Sequence, residues 1–139
     1  MSVLKIPDLA NKAVLITGAS TGIGAALAVA YAEQGSRIGL HYNSSQGAAE
    51  VVARTIRDAG GEVFLVQGDF SKSPDVERVV NDTAGHFGGL DGLVNNAGGM
   101  LGRVPYSEMT DAQYDAVMDL NARSVVTACR TALPWLKQK

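Results

Sequence analysis

Short runs in which every position is apolar alternate along this chain with stretches whose apolar positions recur every three or four residues. The first run, Ala13-Val14-Leu15-Ile16, ends at Thr17-Gly18. Continuous apolar runs of this length belong to strands buried on both faces, and the wider spacing is that of one helix face. From Gly22 to Gln34 the chain is rich in alanine, with Ile23, Leu27, Ala30 and Tyr31 at helical spacing and Gly35 placed to stop the helix. A second strand is expected over Arg37 to Tyr42. Ala49, Val52, Ala53 and Ile56 form the next helical stripe, stopped by Gly60-Gly61, and Val63-Phe64-Leu65-Val66 is the third strand.

Ser73-Pro74 then reads as N-cap and first helical residue, with Asp75 and Glu77 complementing the dipole. Val76, Val79, Val80, Thr83 and Phe87 form that helix's apolar stripe, and Gly88-Gly89 ends it. Leu90 to Asn95 is expected as the fourth strand. A glycine-rich loop follows. Thr110-Asp111-Ala112-Gln113 makes a capping box for the longest helix, whose stripe runs through Tyr114, Val117, Asn121, Val125 and Ala128 and which Pro134 kinks or ends. The order β-α-β-α-β-α-β-α, without repeats or a linker, predicts an α/β fold with a doubly wound parallel sheet of Rossmann type.

Composition narrows the class. The chain has 139 residues, 46% of them hydrophobic, with 12 Lys+Arg against 14 Asp+Glu for a net charge of -2. Residues 1–139 therefore read as one domain, without the basic field that nucleic acid or an anionic membrane surface requires. Cys129 is the single cysteine, so no internal disulfide forms and a structural zinc site is not expected. His41 and His86 lack the spacing of a metal pair, and Cys129 reads as core or interface rather than as a nucleophile. No apolar run reaches membrane-spanning length and no signal-peptide pattern opens the chain, so a cytoplasmic location is expected.

The chemistry concentrates where strands end. Thr17-Gly18-Ala19-Ser20-Thr21-Gly22-Ile23-Gly24 joins the first strand to the first helix with the pattern G-x-x-x-G-x-G. Gly18 and Gly22 permit a tight turn close to a pyrophosphate, and Gly24 lets the helix pack on the strand. Free N–H groups and the dipole at the helix start favour a phosphate. No Gly-Lys-Ser/Thr follows, which excludes a Walker loop. The alternative reading of the same glycines is a strand-to-helix turn with no ligand, and their place between the first strand and the first helix favours the phosphate.

This loop resembles that of the short-chain dehydrogenase/reductase family. Gly68-Asp69-Phe70 after the third strand, Asn95-Asn96-Ala97-Gly98 after the fourth, and Asn121 within Asp119-Leu120-Asn121 stand in the family's order and spacing. The resemblance covers Lys12 to Leu136 and implies strand order 3-2-1-4. It implies cofactor-binding roles for Gly18, Ser20, Thr21, Gly22, Ile23, Gly24, Asn43, Ser44, Asp69, Phe70, Asn95, Asn96, Ala97 and Gly98, with Asn121 in the catalytic site. Read from the residues alone, Asp69 accepts a proton from an adenine amino group or closes a turn on its own backbone. Asn95 and Asn96 brace the first strand, while Ala97 and Gly98 leave room for a ribose. Asn121 needs a partner if its helix face is buried.

No Asp or Glu stands in His41-Tyr42-Asn43-Ser44-Ser45, where an acid would select NAD, and Thr21 occupies a place where many members carry Arg or Lys. The balance favours NADP over NAD, with Asn43, Ser44 and Ser45 as donors to a 2′-phosphate. The expected function is hydride transfer between NAD(P)H and a carbonyl or alcohol. The family's serine and Tyr-x-x-x-Lys are not in this sequence, because Tyr31, Tyr42, Tyr106 and Tyr114 are followed four residues later by Gly35, Gln46, Thr110 and Met118. The chain therefore reads as the cofactor-binding portion, incomplete at its C-terminal end and inactive by itself. The alternative is a non-catalytic dinucleotide-binding or oligomerising module. A methyltransferase shares the sheet and the loop, but Asn-Asn-Ala-Gly argues against it. A homo-oligomer is expected, formed through the long helix 111–136 or the exposed edge of the fourth strand.

Overall fold

The computed structural model describes residues 4–139. Four strands, β1 (Ala13–Ile16), β2 (Arg37–Tyr42), β3 (Val63–Gln67) and β4 (Gly92–Val94), form one parallel sheet in the order β3-β2-β1-β4. The connecting helices are α1 (Gly22–Glu33), α2 (Gln46–Asp58) and α3 (Ser73–Phe87). After β4 come α4 (Asp111–Met118), a π-helical turn (Asp119–Arg123) and α5 (Ser124–Leu136). Alternation along the strands divides the core. Val14, Ile16, Ile38 and Leu40 pack with Ala28, Ala49 and Ile56 of α1 and α2. Leu15 and Val66 pack on the other face with Val76, Val79 and Val80 of α3 and Ala128 and Ala132 of α5. Burial on both faces is what made these strands read as continuous apolar runs.

Glycines end the helices as expected. Gly35 and Gly60 have φ of +89° and +87° just past α1 and α2, and Gly88 closes α3 at +74°. The Thr110 box on α4 is present in both directions, its side chain accepting from the Gln113 N–H while Gln113 accepts from the Thr110 N–H.

Four local expectations are corrected. The fourth strand spans Gly92–Val94 rather than Leu90 to Asn95, because the Asp91 carboxylate, instead of a backbone carbonyl, takes the Ala13 N–H at 2.8 Å. Ser73 lies inside α3 and does not cap it; its Oγ lies 3.5 Å from Thr127 Oγ1 on α5. Ile23 is 74% exposed, and α1 is buried through Gly24 and Ala28, since small residues let the helix approach the sheet. The longest helix is interrupted at the π turn, while Pro134 is accommodated within α5 and the helix closes two residues later. At α5 the first turns carry buried Ser124 and Thr127, and Cys129 is exposed. Among the described residues no helix is long and apolar enough to cross a membrane.

Candidate functional site

A cleft of about 310 Å³ opens at the carboxyl ends of the strands, walled by Gly18, Ser20 and Thr21 of the first loop, by Asn43, Ser44 and Ser45 after β2, by Phe70 after β3 and by Asn96, Ala97 and Gly98 after β4. His41 and Leu120 complete the lining. In an open α/β sheet this crevice, beside the strand where the order reverses, is where ligands bind. None of its lining side chains carries a formal charge at neutral pH, because His41 is held neutral.

The glycine loop is fixed by its backbone. Gly18 and Gly22 take left-handed φ values of +62° and +58°. A Cβ on Gly18 would lie 2.9 Å from the Ala97 Cα, so the β1 and β4 loops touch backbone to backbone there. A Cβ on Gly24 would overlap the Gly18 carbonyl oxygen and approach Asn96 Nδ2 to 2.5 Å. The space left by that hydrogen is used: Asn96 Nδ2 donates to the carbonyls of Thr17 and Gly18 at 3.0 and 2.9 Å. In return Thr17 Oγ1 accepts from the N–H groups of Asn96 and Ala97, both at 2.9 Å. Thr21 makes no side-chain cap on α1, so the first-turn amides are not closed off by a hydroxyl.

His41, whose spacing gives it no metal-binding partner, belongs to this architecture. Its ring is 2% exposed, stacked on Phe70 with centroids 3.9 Å apart. Nδ1 accepts from the Gly18 N–H at 2.9 Å and Nε2 donates to the Gly68 carbonyl at 2.8 Å, while the His41 carbonyl accepts from the Ala19 N–H at 2.8 Å. Burial pushes its pKa from the ordinary 6.5 down to about 4. The signal in the sequence was its place on an inward-facing β2 position one residue from the strand's end.

The remaining expected residues divide. Asn95 leaves the cleft and donates through Nδ2 to Cys129 Sγ at 3.4 Å, tying the loop to α5. Asp69 closes a turn, its Oδ1 accepting from the Ser71 N–H and hydroxyl at 3.0 and 2.7 Å, and those bonds lower its carboxyl pKa from the ordinary value. Phe70, not Asp69, faces the cleft. Gly22, Ile23 and Gly24 lie at the start of α1 outside the lining. Asn121 is exposed yet fully used, its Oδ1 accepting from the Gly99 N–H at 2.9 Å and its Nδ2 donating to the carbonyls of Gly99 and Val117 at 2.6 and 2.8 Å. A Cβ on Gly98 would meet Asn121 Oδ1 at 2.5 Å, so Asn121 is seated on the loop that carries the cleft wall. Among the described residues no three His, Cys, Asp or Glu side chains gather as a metal site.

Two outcomes follow from this bonding. Thr17 is 1% exposed, and Thr17→Val keeps its shape while stranding the Asn96 and Ala97 N–H groups. It should cost about 2–4 kcal/mol, read as a lower urea midpoint at unchanged slope. For His41 the folded pKa lies below the unfolded one, so between about 6.5 and about 4 the unfolded chain binds more protons. Stability should fall as pH drops through that window by on the order of 3 kcal/mol, level off below it, and be lost with a shallower slope in His41→Phe.

Comparison with known proteins gives this geometry a family. The family model for short chain dehydrogenase matches residues 12–139. A hydroxynaphthalene reductase-like protein of Metarhizium guizhouense is 37% identical over 117 residues, covering 84% of this chain and 43% of that protein. The crystal structure of an NADH-dependent reductase responsible for alginate metabolism superposes with a TM-score of 0.90 at 38% identity, over 96% of this chain and 54% of that one. A short chain dehydrogenase from Burkholderia cenocepacia in complex with NADP gives 0.88 at 35%, over 92% and 52%. This chain thus spans about half the length of the relatives it matches. With the strand order, the glycine loop and the Asn96 brace all in place beneath that match, the chain belongs to the short-chain dehydrogenase/reductase family.

Proposed function

We propose that this chain forms the dinucleotide-binding part of an oxidoreductase that moves hydride between NAD(P)H and a carbonyl or alcohol. The observation that carries the reading is the cleft itself. It is lined by Gly18, Ser20 and Thr21 at the start of α1 and walled by the small Ala97 and Gly98 where a sugar needs room. The residues fit such a cofactor. Gly22, at φ +58° with no atom within 4 Å of a Cβ position, leaves the loop open for a pyrophosphate, and the α1 amides and dipole complement its charge. Ser20, Thr21 and the loop amides would hold the pyrophosphate, Phe70 would flank the base, and Asn96, Ala97 and Gly98 would line the ribose.

The cofactor, when bound, supplies the hydride. This chain's own residues bind it and orient it. Asn121 accepts from the Gly99 N–H and donates to the Gly99 carbonyl, so it holds the peptides on both sides of Gly99 and the wall beside Gly98. The family's proton donor, Tyr-x-x-x-Lys, has no counterpart among Tyr31, Tyr42, Tyr106 and Tyr114, so the 139-residue chain alone is proposed to transfer no hydride.

NADP is the preferred cofactor. Asn43, Ser44 and Ser45 offer neutral donors at the end of β2, and no acid stands there to repel a 2′-phosphate. Relatives named for NADH and for NADP both occur, and the support for NADP comes from this chain's own residues. In calorimetric titrations side by side NADP should bind tighter than NAD, and Asn43→Asp should cut NADP affinity by about tenfold, a change of ~1.4 kcal/mol. Tighter binding of NAD to the natural sequence would overturn the preference.

We further propose that the chain associates with itself. β4 is paired with β1 on one side alone among the described strands, and Tyr114, Met118, Val126 and Leu133 along α4 and α5 are 41% to 62% exposed. An unpaired apolar edge and an apolar helix face both favour a partner copy. Light scattering at micromolar concentration should give at least the mass of a dimer, and a monodisperse monomer would count against it.

A further inference from the structure

We propose that His41 is a positioning residue for the nucleotide loop: its imidazole holds the Thr17–Gly18 peptide in the orientation that a bound pyrophosphate requires. The inference rests on the dinucleotide reading above and adds a role to a residue that touches the loop rather than the phosphate.

The two peptide groups that flank Gly18 are each held from two directions. In the Thr17–Gly18 peptide the Gly18 N–H is taken by His41 Nδ1 at 2.9 Å and the Thr17 carbonyl by Asn96 Nδ2 at 3.0 Å, and Gly18 itself has φ of +62°. Turning that peptide would break both bonds, and the Gly18–Ala19 peptide is held as well, its carbonyl accepting from Asn96 Nδ2 and its Ala19 N–H donating to the His41 carbonyl. The loop leaving Ala19 therefore starts from a fixed plane, and the amides from Ser20 onward inherit its direction.

The chemistry of the ring is set by its partners. A peptide N–H faces Nδ1, so that nitrogen must be the acceptor. A carbonyl faces Nε2, so that nitrogen must carry the hydrogen. Only the neutral Nε2–H tautomer satisfies both. A proton added to Nδ1 would oppose the Gly18 N–H donor to donor. Burial favours the neutral form, and so does Arg78 of α3; Asp75 of the same helix acts the other way. The face toward β1 and the glycine loop brings peptide groups to the ring, and Phe70 covers one ring face by stacking.

The ring supplies an acceptor to one loop and a donor to the other. Phenylalanine keeps the ring volume and the stack but offers no acceptor. Asparagine reaches one partner and not the other. The bonds act on the turn that leads to the pyrophosphate, not on the end of β2 that would read the 2′-phosphate. Loss of His41 should therefore weaken NADP and NAD by the same factor.

The test compares the full chain with His41→Phe, His41→Asn and Ile56→Val, the last a core change between α2 and the sheet that destabilises without touching the loop. Each is titrated calorimetrically with NADP and with NAD at a temperature well below its melting point. His41→Phe should lose about tenfold or more for both nucleotides, with their ratio unchanged, His41→Asn should recover part of the loss, and Ile56→Val should stay within about twofold. Nitrogen NMR of the natural chain at pH 7 should show a neutral ring protonated on Nε2, with a Gly18 amide protected from exchange. Wild-type affinity in His41→Phe, a loss confined to NADP, or a ring protonated on Nδ1 overturns the proposal, and the NMR result stands even if His41→Phe does not fold. A natural chain that binds neither nucleotide overturns the dinucleotide reading on which the role rests.

Discussion

The carboxyl ends of these strands depend on the space that Gly24 leaves by having no side chain. Any Cβ there would enter the Gly18 carbonyl and crowd the Asn96 amide, the two groups that tie the β1 loop to the β4 loop. With that space free, one asparagine donates to two successive carbonyls and one threonine hydroxyl accepts from two successive N–H groups. Four hydrogen bonds thus join segments 79 residues apart in sequence at the point where the strand order reverses. Buried peptide groups need such partners, and β4 has only three residues of ladder with which to supply them. The side chains beyond Val94 do for β1 and β4 what a longer strand would have done.

Seen from β2, the same loop is held by a ring. Gly39 and His41 share the face toward α3 with opposite solutions to the same crowding. A Cβ on Gly39 would run into Thr83 Cγ2, so α3 comes down close at that point. Two residues on, the layer has room for an imidazole flat against Phe70. The close approach at Gly39 and the buried ring at His41 are therefore consecutive steps along one inward-facing row of β2, and the second reaches the glycine loop.

Much of this was legible because period carries the information. Strands buried on both faces gave apolar runs, and glycines with positive φ fell where helices stop, so the element order and the sheet class came directly from patterning. The glycine loop and the Asn-Asn-Ala-Gly segment were legible as motifs, but their division of labour was not. Asn95 and Asn96 are adjacent and chemically identical, yet one reaches Cys129 on α5 and the other spans β1. Which way each amide points is set by the chain's turn after Val94, a tertiary fact. The π turn around Asn121 was likewise hidden, since one extra residue in a helix barely disturbs a stripe that Tyr114 and Val117 already define. His41 was underread because a lone histidine was weighed as a metal ligand, when its place on an inward strand position demanded two hydrogen-bond partners instead.

The chain has net charge -2 and no charged side chain lining its cleft. On the proposed reading, attraction for an anionic cofactor would come from peptide dipoles: the amides of the glycine loop and the start of α1. Dipoles differ from a mobile cation in that their effect depends on direction, and a peptide turned by a few tens of degrees no longer points its N–H at the ligand. A lysine can follow a phosphate that shifts; a backbone amide cannot. Affinity in such a site is therefore bound to the rigidity of the backbone that carries the amides, because every degree of freedom left to the loop must be frozen on binding. That accounts for why so much hydrogen bonding is concentrated on the two peptides that flank Gly18, whose own contacts with a ligand would be few. The brace from Asn96, the ring of His41 and the missing side chain of Gly24 are three parts of one requirement, that the peptide planes on either side of Gly18 not move.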